Sequence, residues 1–408
     1  MILNLHSHIK LALFYFLIVA LLGSMLRLFV FIDVPAEYRF LVHTHSHIAL
    51  LGWVYVALTT LIYKLYLEKE NIGKLYNRIF WFTQTTIAGM LFTFPFLGYA
   101  LFSIVFSTLF LIASYFFVWL FIRKTSKETK KLFSYKVVKS SLLFMVLSSL
   151  GPWALGAIMN TFGSTSIWYK IAIYFYLHFQ YNGWFVLALL GFLFFFLEFY
   201  GFLENTKGHK RWLWLLNCSV VLTFFLSVLW IVPPFYIYLL AGFGALLQAV
   251  VFVVLFLWIL PIWKDFRSIL VPGVSAMLLW AGVLLAFKID MQLISAIPYV
   301  AMLAYHTPDF VIGYMHLVFL GVVTIALFAF LKQTSLLKIP KFAFLLYLIA
   351  FISTELLIFY KGTAIWLRFS IFENYYLLLA GTSILFAVVL FILFVKNRNQ
   401  NKQSCATK

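Results

Sequence analysis

Charge and cysteine are what this 408-residue chain has least of. Only 10% of its residues are charged, and Asp and Glu together number 12. A soluble domain covers its surface with such residues, so their scarcity excludes an ordinary soluble protein. Two cysteines, Cys218 and Cys405, exclude a disulfide framework, and no Cys-x-x-Cys-His run exists for covalent haem attachment. Apolar residues take the vacant share: 65% of the chain is hydrophobic and 21% aromatic, with a mean hydropathy of +1.03. Apolar runs of span length recur from end to end. The expected class is therefore all-α, a polytopic membrane protein whose first partner is the lipid bilayer. The net charge of +18 then reads as loop bias and calls for no nucleic acid.

About twelve transmembrane helices are expected, near 11–32, 41–63, 79–98, 100–122, 140–160, 170–200, 212–232, 236–260, 269–287, 308–331, 342–360 and 375–395. Each can cross a hydrocarbon core of ~30 Å at ~1.5 Å per residue. The third and fourth are separated only by the Pro/Gly break in "PFLGYALF". The stretch from Lys288 to Thr307 reads as an interfacial hairpin. If both termini are cytoplasmic, every Lys and Arg except Arg27, Arg39, Lys170, Lys288, Lys361 and Arg368 falls on the inner side. That alternation supports twelve spans under the positive-inside rule. The "MILNLHSHIK" start reads as leading into a retained first span, because no small-residue cleavage site follows the apolar run. The expected organisation is a single membrane domain over residues 1–395 with a basic cytoplasmic tail, 396–408, in a bacterial-type inner membrane.

Nine histidines are present, and three of them stand at alternate positions in "LVHTHSHIALLGW", Leu41 to Trp53. Histidine is costly inside a membrane and marks function by default. On the expected topology His43, His45 and His47 lie roughly 6–12 Å in from the outer face, and His178 and His316 about 12 Å in. One such layer on spans 2, 6 and 10 suits a flat cofactor held between helices, since haem iron takes neutral imidazole as axial ligand. Single histidines in spans also serve as helix–helix hydrogen-bonding groups, and His178 alone fits either role. His43 and His47, four apart, share a helix face, while His45 points away. His6, His8 and His209 read as interfacial or solvated, and His306 as part of the outer hairpin.

These motifs resemble the large subunit of haem–copper oxidases, nearest to the C-type cytochrome c oxidases and nitric oxide reductases. His43, Thr44 and Gly52 repeat the spacing of its span-2 haem-ligand motif. "HFQYNGWFVLALLGFLFFF" from His178 is similar to the span-6 stretch that carries a copper ligand. "DFVIGYMHLVFLG", Asp309 to Gly321, is similar to the span-10 motif, whose second histidine maps to His316. The resemblance implies a twelve-helix fold and a b-type haem held by His316 and a span-2 histidine, His43 first and His47 as its alternate. It implies electron transfer, with a cytochrome or small oxidase subunits as donors, and an oxidoreductase of the oxygen- or nitric oxide-reducing kind. Two departures stand against the full site. Tyr314, itself a candidate ligand of ferric haem, replaces the proximal histidine of the high-spin haem, and span 7, "WLWLLNCSVVLTFFLSVLW", has no copper histidines. His178 is left as a ligand of a reduced or altered copper site, with His45 able to serve a second ion. "HSHIALLGW" is also similar to an element of the NnrS-like haem- and copper-containing proteins, where His45 and His47 align. A non-redox proton or metal transporter is the remaining alternative, although transporter sites favour the midplane. Glu355, near the middle of span 11, reads as a proton-relay candidate or as a satisfied structural carboxyl. Arg27 can snorkel outward or pair with a carboxylate such as a haem propionate.

Overall fold

A computed structural model describes residues 3–204 and 206–398, and among them every regular element is a helix. Twelve are long: α1 Leu5–Leu28, α2 Tyr38–Glu70, α3 Gly73–Leu97, α4 Leu101–Lys124, α5 Phe133–Thr161, α6 Ile167–Phe199, α7 Lys207–Ile231, α8 Phe235–Ser268, α9 Val274–Ile294, α10 Pro308–Gln333, α11 Lys341–Leu367 and α12 Tyr375–Asn397. Eleven of these are long and apolar enough to cross a membrane. The chain is thus an all-α, multi-pass membrane protein. The exception is α3, whose Thr83-Gln84-Thr85-Thr86 run lowers its apolarity although its length is sufficient.

Several helices run past the apolar segments from which they were expected. α3 begins at Gly73 and α5 at Phe133, because Lys, Arg and Asn side chains at a helix end can reach water while their stems stay apolar. One boundary is corrected. The expected span 269–287 and the hairpin after it are instead α9, which runs on to Ile294, and a separate short helix, Pro298–His306. Lys288 looked like a span-ending charge, yet it is 1% exposed and its ammonium donates to Asn182 Oδ1. With that charge housed inside, no helix breaker acts before Pro298, which opens the next helix at its first position.

The described residues group into two compact units, one drawn from positions 1–125 and 327–408, the other from 126–326. No linker marks the division, since its second boundary falls inside α10. In the first unit α1 packs along α12 and against α2, α3 pairs with α4, and α11 pairs with α12. The α3–α4 turn is tight. Gly98 has φ +57°, a Cβ on it would strike the Phe40 ring, and Ser103 Oγ donates to its carbonyl. In the second unit α5 pairs with α6, α7 with α8, and α9 packs on α10. The start of α5 is held by Glu198 of α6, whose carboxylate accepts from the backbone N–H of Phe133 and of Ser134, at 2.6 and 3.1 Å. Of the expected tail, Lys396 and Asn397 finish α12, and residues 399–408, Cys405 included, lie outside the described residues.

Candidate functional site: histidines at the start of π-helical turns

Three of the expected site histidines share one local design. His47, His178 and His316 are each the last α-helical residue before a π-helical stretch: Ile48–Tyr55, Phe179–Phe185 and Leu317–Val323. In each, a glycine follows five residues after the histidine, at Gly52, Gly183 and Gly321. Five is the hydrogen-bond interval of a π-helix, so each glycine lies one π-turn beyond its histidine. Two of the glycines, Gly52 and Gly183, permit close approach by the preceding helix. A Cβ on Gly52 would stand 2.8 Å from Tyr15 of α1, and one on Gly183 would stand 2.6 Å from Phe144 of α5. The third stretch packs on α9. The same pairing of a helix with the next helix's π-turn therefore occurs at α1–α2, α5–α6 and α9–α10. The three runs "HIALLG", "HFQYNG" and "HLVFLG" carried this signal in sequence as a repeated His-x4-Gly. Single-motif comparison against the oxidase pattern passed over it.

Within α2 the alternate histidines divide as their spacing requires. His45 turns to α1, where its Nδ1–H donates to Val19 O at 3.0 Å and its ring lies against Gly23. His43 and His47 both face Tyr99, with ring centroids 4.7 and 5.8 Å away, and His47 also lies 4.5 Å from the ring of Phe94. His47 Nδ1–H donates to His43 O at 2.8 Å, which fixes its proton on Nδ1. The lone pair is then on Nε2, toward which Tyr99 Oη donates at 3.4 Å. An Nδ1–H anchored on a backbone carbonyl is the arrangement that orients a metal-ligating imidazole, and Nε2 becomes the donor atom once the Tyr99 hydroxyl, held only at 3.4 Å, turns away. The aromatic flanks suit a flat apolar ligand. His47 therefore fits an axial ligand of haem iron.

His178 is arranged differently. It is 1% exposed, and both ring nitrogens are engaged. Nε2–H donates to Val220 O of α7 at 2.8 Å, and Nδ1 accepts from Asn182 Nδ2 at 3.2 Å. Asn182 in turn accepts from Lys288, so a buried chain runs from α9 through α6 to α7. A copper ion does not fit at His178 as it stands, because Asn182 occupies the lone pair a metal would need. Sequence reasoning missed Asn182 and Lys288, since neither the amide nor a lysine near a helix end carries a motif. In α10, Tyr314 lies T-shaped to Tyr181, ring centroids 6.2 Å apart, and its buried phenol oxygen has no hydrogen-bond partner among the described residues. His316 closes the α-helical first part of α10, Pro308–His316.

Glu355 of α11 is 8% exposed, and neither of its carboxylate oxygens has a hydrogen-bond partner among the described residues. Arg27 of α1 is within electrostatic reach of both Glu355 and His45. Elsewhere, Cys218 is a free thiol and His209 sits near the start of α7, where it bonds to Thr206. Among the described residues no group of three or more His, Cys, Asp or Glu is placed to hold a metal ion. Comparison with protein-family models finds no match for this chain, and comparison with curated proteins finds none either.

Proposed function

We propose that the chain is a haem-binding membrane protein that carries electrons, resembling the large subunit of the haem–copper oxidases without a complete copper site. The observation that carries this reading is the thrice-repeated histidine at the threshold of a π-turn. π-Turns occur mostly as local insertions in α-helices, frequently at functional sites, and three of them each aligned on a histidine mark those histidines out. His47 adds a defined tautomer with its lone pair on Nε2 and aromatic rings beside it. Bound haem would supply one-electron exchange between ferric and ferrous iron. The chain's own part is to fix the imidazole through His43 O, exclude water with Phe94 and Tyr99, and house the group in the membrane. The engaged nitrogens of His178 and the Tyr314 replacement speak against a binuclear oxygen-reducing centre. The electron donor is proposed to be a cytochrome or small membrane subunit, and the location a bacterial-type inner membrane.

Reduced-minus-oxidised spectra of the purified protein test this directly. A low-spin b-type band is expected, with haem released by acid–acetone extraction. His47→Ala and His316→Ala are each expected to convert the iron to a high-spin form or empty the site. His43→Ala should perturb the spectrum less than His47→Ala, and His209→Ala should leave it unchanged. Folded protein from haem-replete cells with no Soret band would overturn the reading.

A further inference from the structure

The first unit encloses a small cavity among α2, α3 and α4, with about 10 Å³ open to the centre of a water molecule. That is room for about one water, provided polar partners line it. Its polar lining is Tyr55 and Thr59 of α2 with Tyr76, Thr83 and Gln84 of α3. Gln84 is 4% exposed, yet neither its Oε1 nor its Nε2 has a hydrogen-bond partner among the described residues. A buried primary amide left wholly unsatisfied is among the costlier faults a membrane interior can hold. Thr59 and Thr83 already donate their hydroxyls to backbone carbonyls, Tyr55 O at 2.8 Å and Ile79 O at 2.9 Å. Thr59 Oγ1 therefore keeps lone pairs free to accept, while Thr83 Oγ1 is also paired with the Tyr55 phenol. The lining thus offers one amide donor, one amide acceptor and the Thr59 hydroxyl as a further acceptor around a space of one water. Gln84 and Thr83 belong to the polar run that makes α3 less apolar than the other long helices, and the cavity gives that run a purpose.

We propose that this cavity is a permanent water-binding site that ties α3 to the middle of α2, where its first π-helical stretch ends. A water there accepts from Gln84 Nε2 and donates to Gln84 Oε1 or Thr59 Oγ1, within the 2–4 bonds that buried waters make. Tyr55 is the last residue of the π-stretch begun after His47, so the water braces that stretch at the end opposite the histidine. The inference stands whether or not haem is bound.

The sign of a stability change tests it. Gln84→Leu keeps the side chain's shape and removes its two polar atoms. If the site is wet, the substitution strips the water of its principal partners, and the thermal midpoint of the detergent-purified protein falls by about 2 °C or more. If the cavity is dry, the same change relieves two unsatisfied atoms and the midpoint rises, which overturns the proposal. Should Gln84→Leu fail to fold, Gln84→Met provides the same comparison. An independent arm uses xenon-pressurised crystals. Dry apolar cavities take up xenon, so xenon density at this position in the unaltered protein would also overturn the proposal, and a water peak bonded to Gln84 would bear it out.

Discussion

At the scale of single residues, the chain's polar chemistry is sparse enough that each group can be followed to its partner. The run Lys288–Asn182–His178–Val220 shows what a buried amide contributes. Asn182 both accepts from the ammonium and donates to the imidazole, so its loss abandons two groups, whereas loss of Lys288 abandons one. Asn182→Leu is expected to destabilise by about 2–4 kcal/mol, the cost of leaving a buried ammonium and a ring nitrogen unpaired. Lys288→Met should cost less, about 1–2 kcal/mol, because only the amide oxygen is stranded. Thermal or denaturant unfolding of both variants in detergent checks the order, and an inverted order would deny Asn182 its central place. How much of this was legible beforehand differs residue by residue. The division of His43 and His47 from His45 followed from helix periodicity alone. The burial of Lys288 did not, because nothing in the sequence near it names a partner 106 positions away.

Individual elements show where periodicity ends as a guide. An apolar run fixes that a helix exists, and the long helices lie where those runs lie. It does not say whether hydrogen bonds span four residues or five, because the outward composition of the two helices is the same. The π-turns after His47, His178 and His316 were therefore invisible to hydropathy, though the His-x4-Gly interval was there to be read. Gly52 and Gly183 are points where neighbouring helices approach closely. Gly183→Ala would press its methyl into Phe144 and should cost about 1–3 kcal/mol through overpacking, with the π-turn shifted. Gly156→Ala, in α5 with nothing within 4 Å of the new carbon, is the matched control and should be neutral or slightly stabilising. Equal effects in the two variants would show that close approach is not what Gly183 serves. Glu198 makes a similar point for helix ends: it stands near the end of its own helix, yet it caps another by accepting from two of its first backbone N–H groups.

For the molecule as a whole, composition settled the class, and the long helices keep the expected number and order. The two compact units were not legible, since no Pro-, Gly- or Ser-rich linker separates them and one boundary lies within a continuous helix. The same pairing recurs within each unit, as α1–α2 in the first and as α5–α6 and α9–α10 in the second, each pair followed in sequence by two further long helices. Such a plan bears on how the chain enters a membrane during synthesis. α3 is the one long helix whose apolarity falls short, and it is joined to the strongly apolar α4 by a turn closed through Gly98 and Ser103. A marginal segment partitions into lipid more readily beside a partner that also shields its polar side chains. The insertion machinery should then accept α3 and α4 as a helical hairpin. Chains truncated after Leu97 are expected to integrate α3 inefficiently, and chains extended through Lys124 to integrate it fully, as read by glycosylation acceptors placed on either side. The threonine and glutamine that lend α3 its interior contacts would thus make its entry conditional on the helix synthesised next.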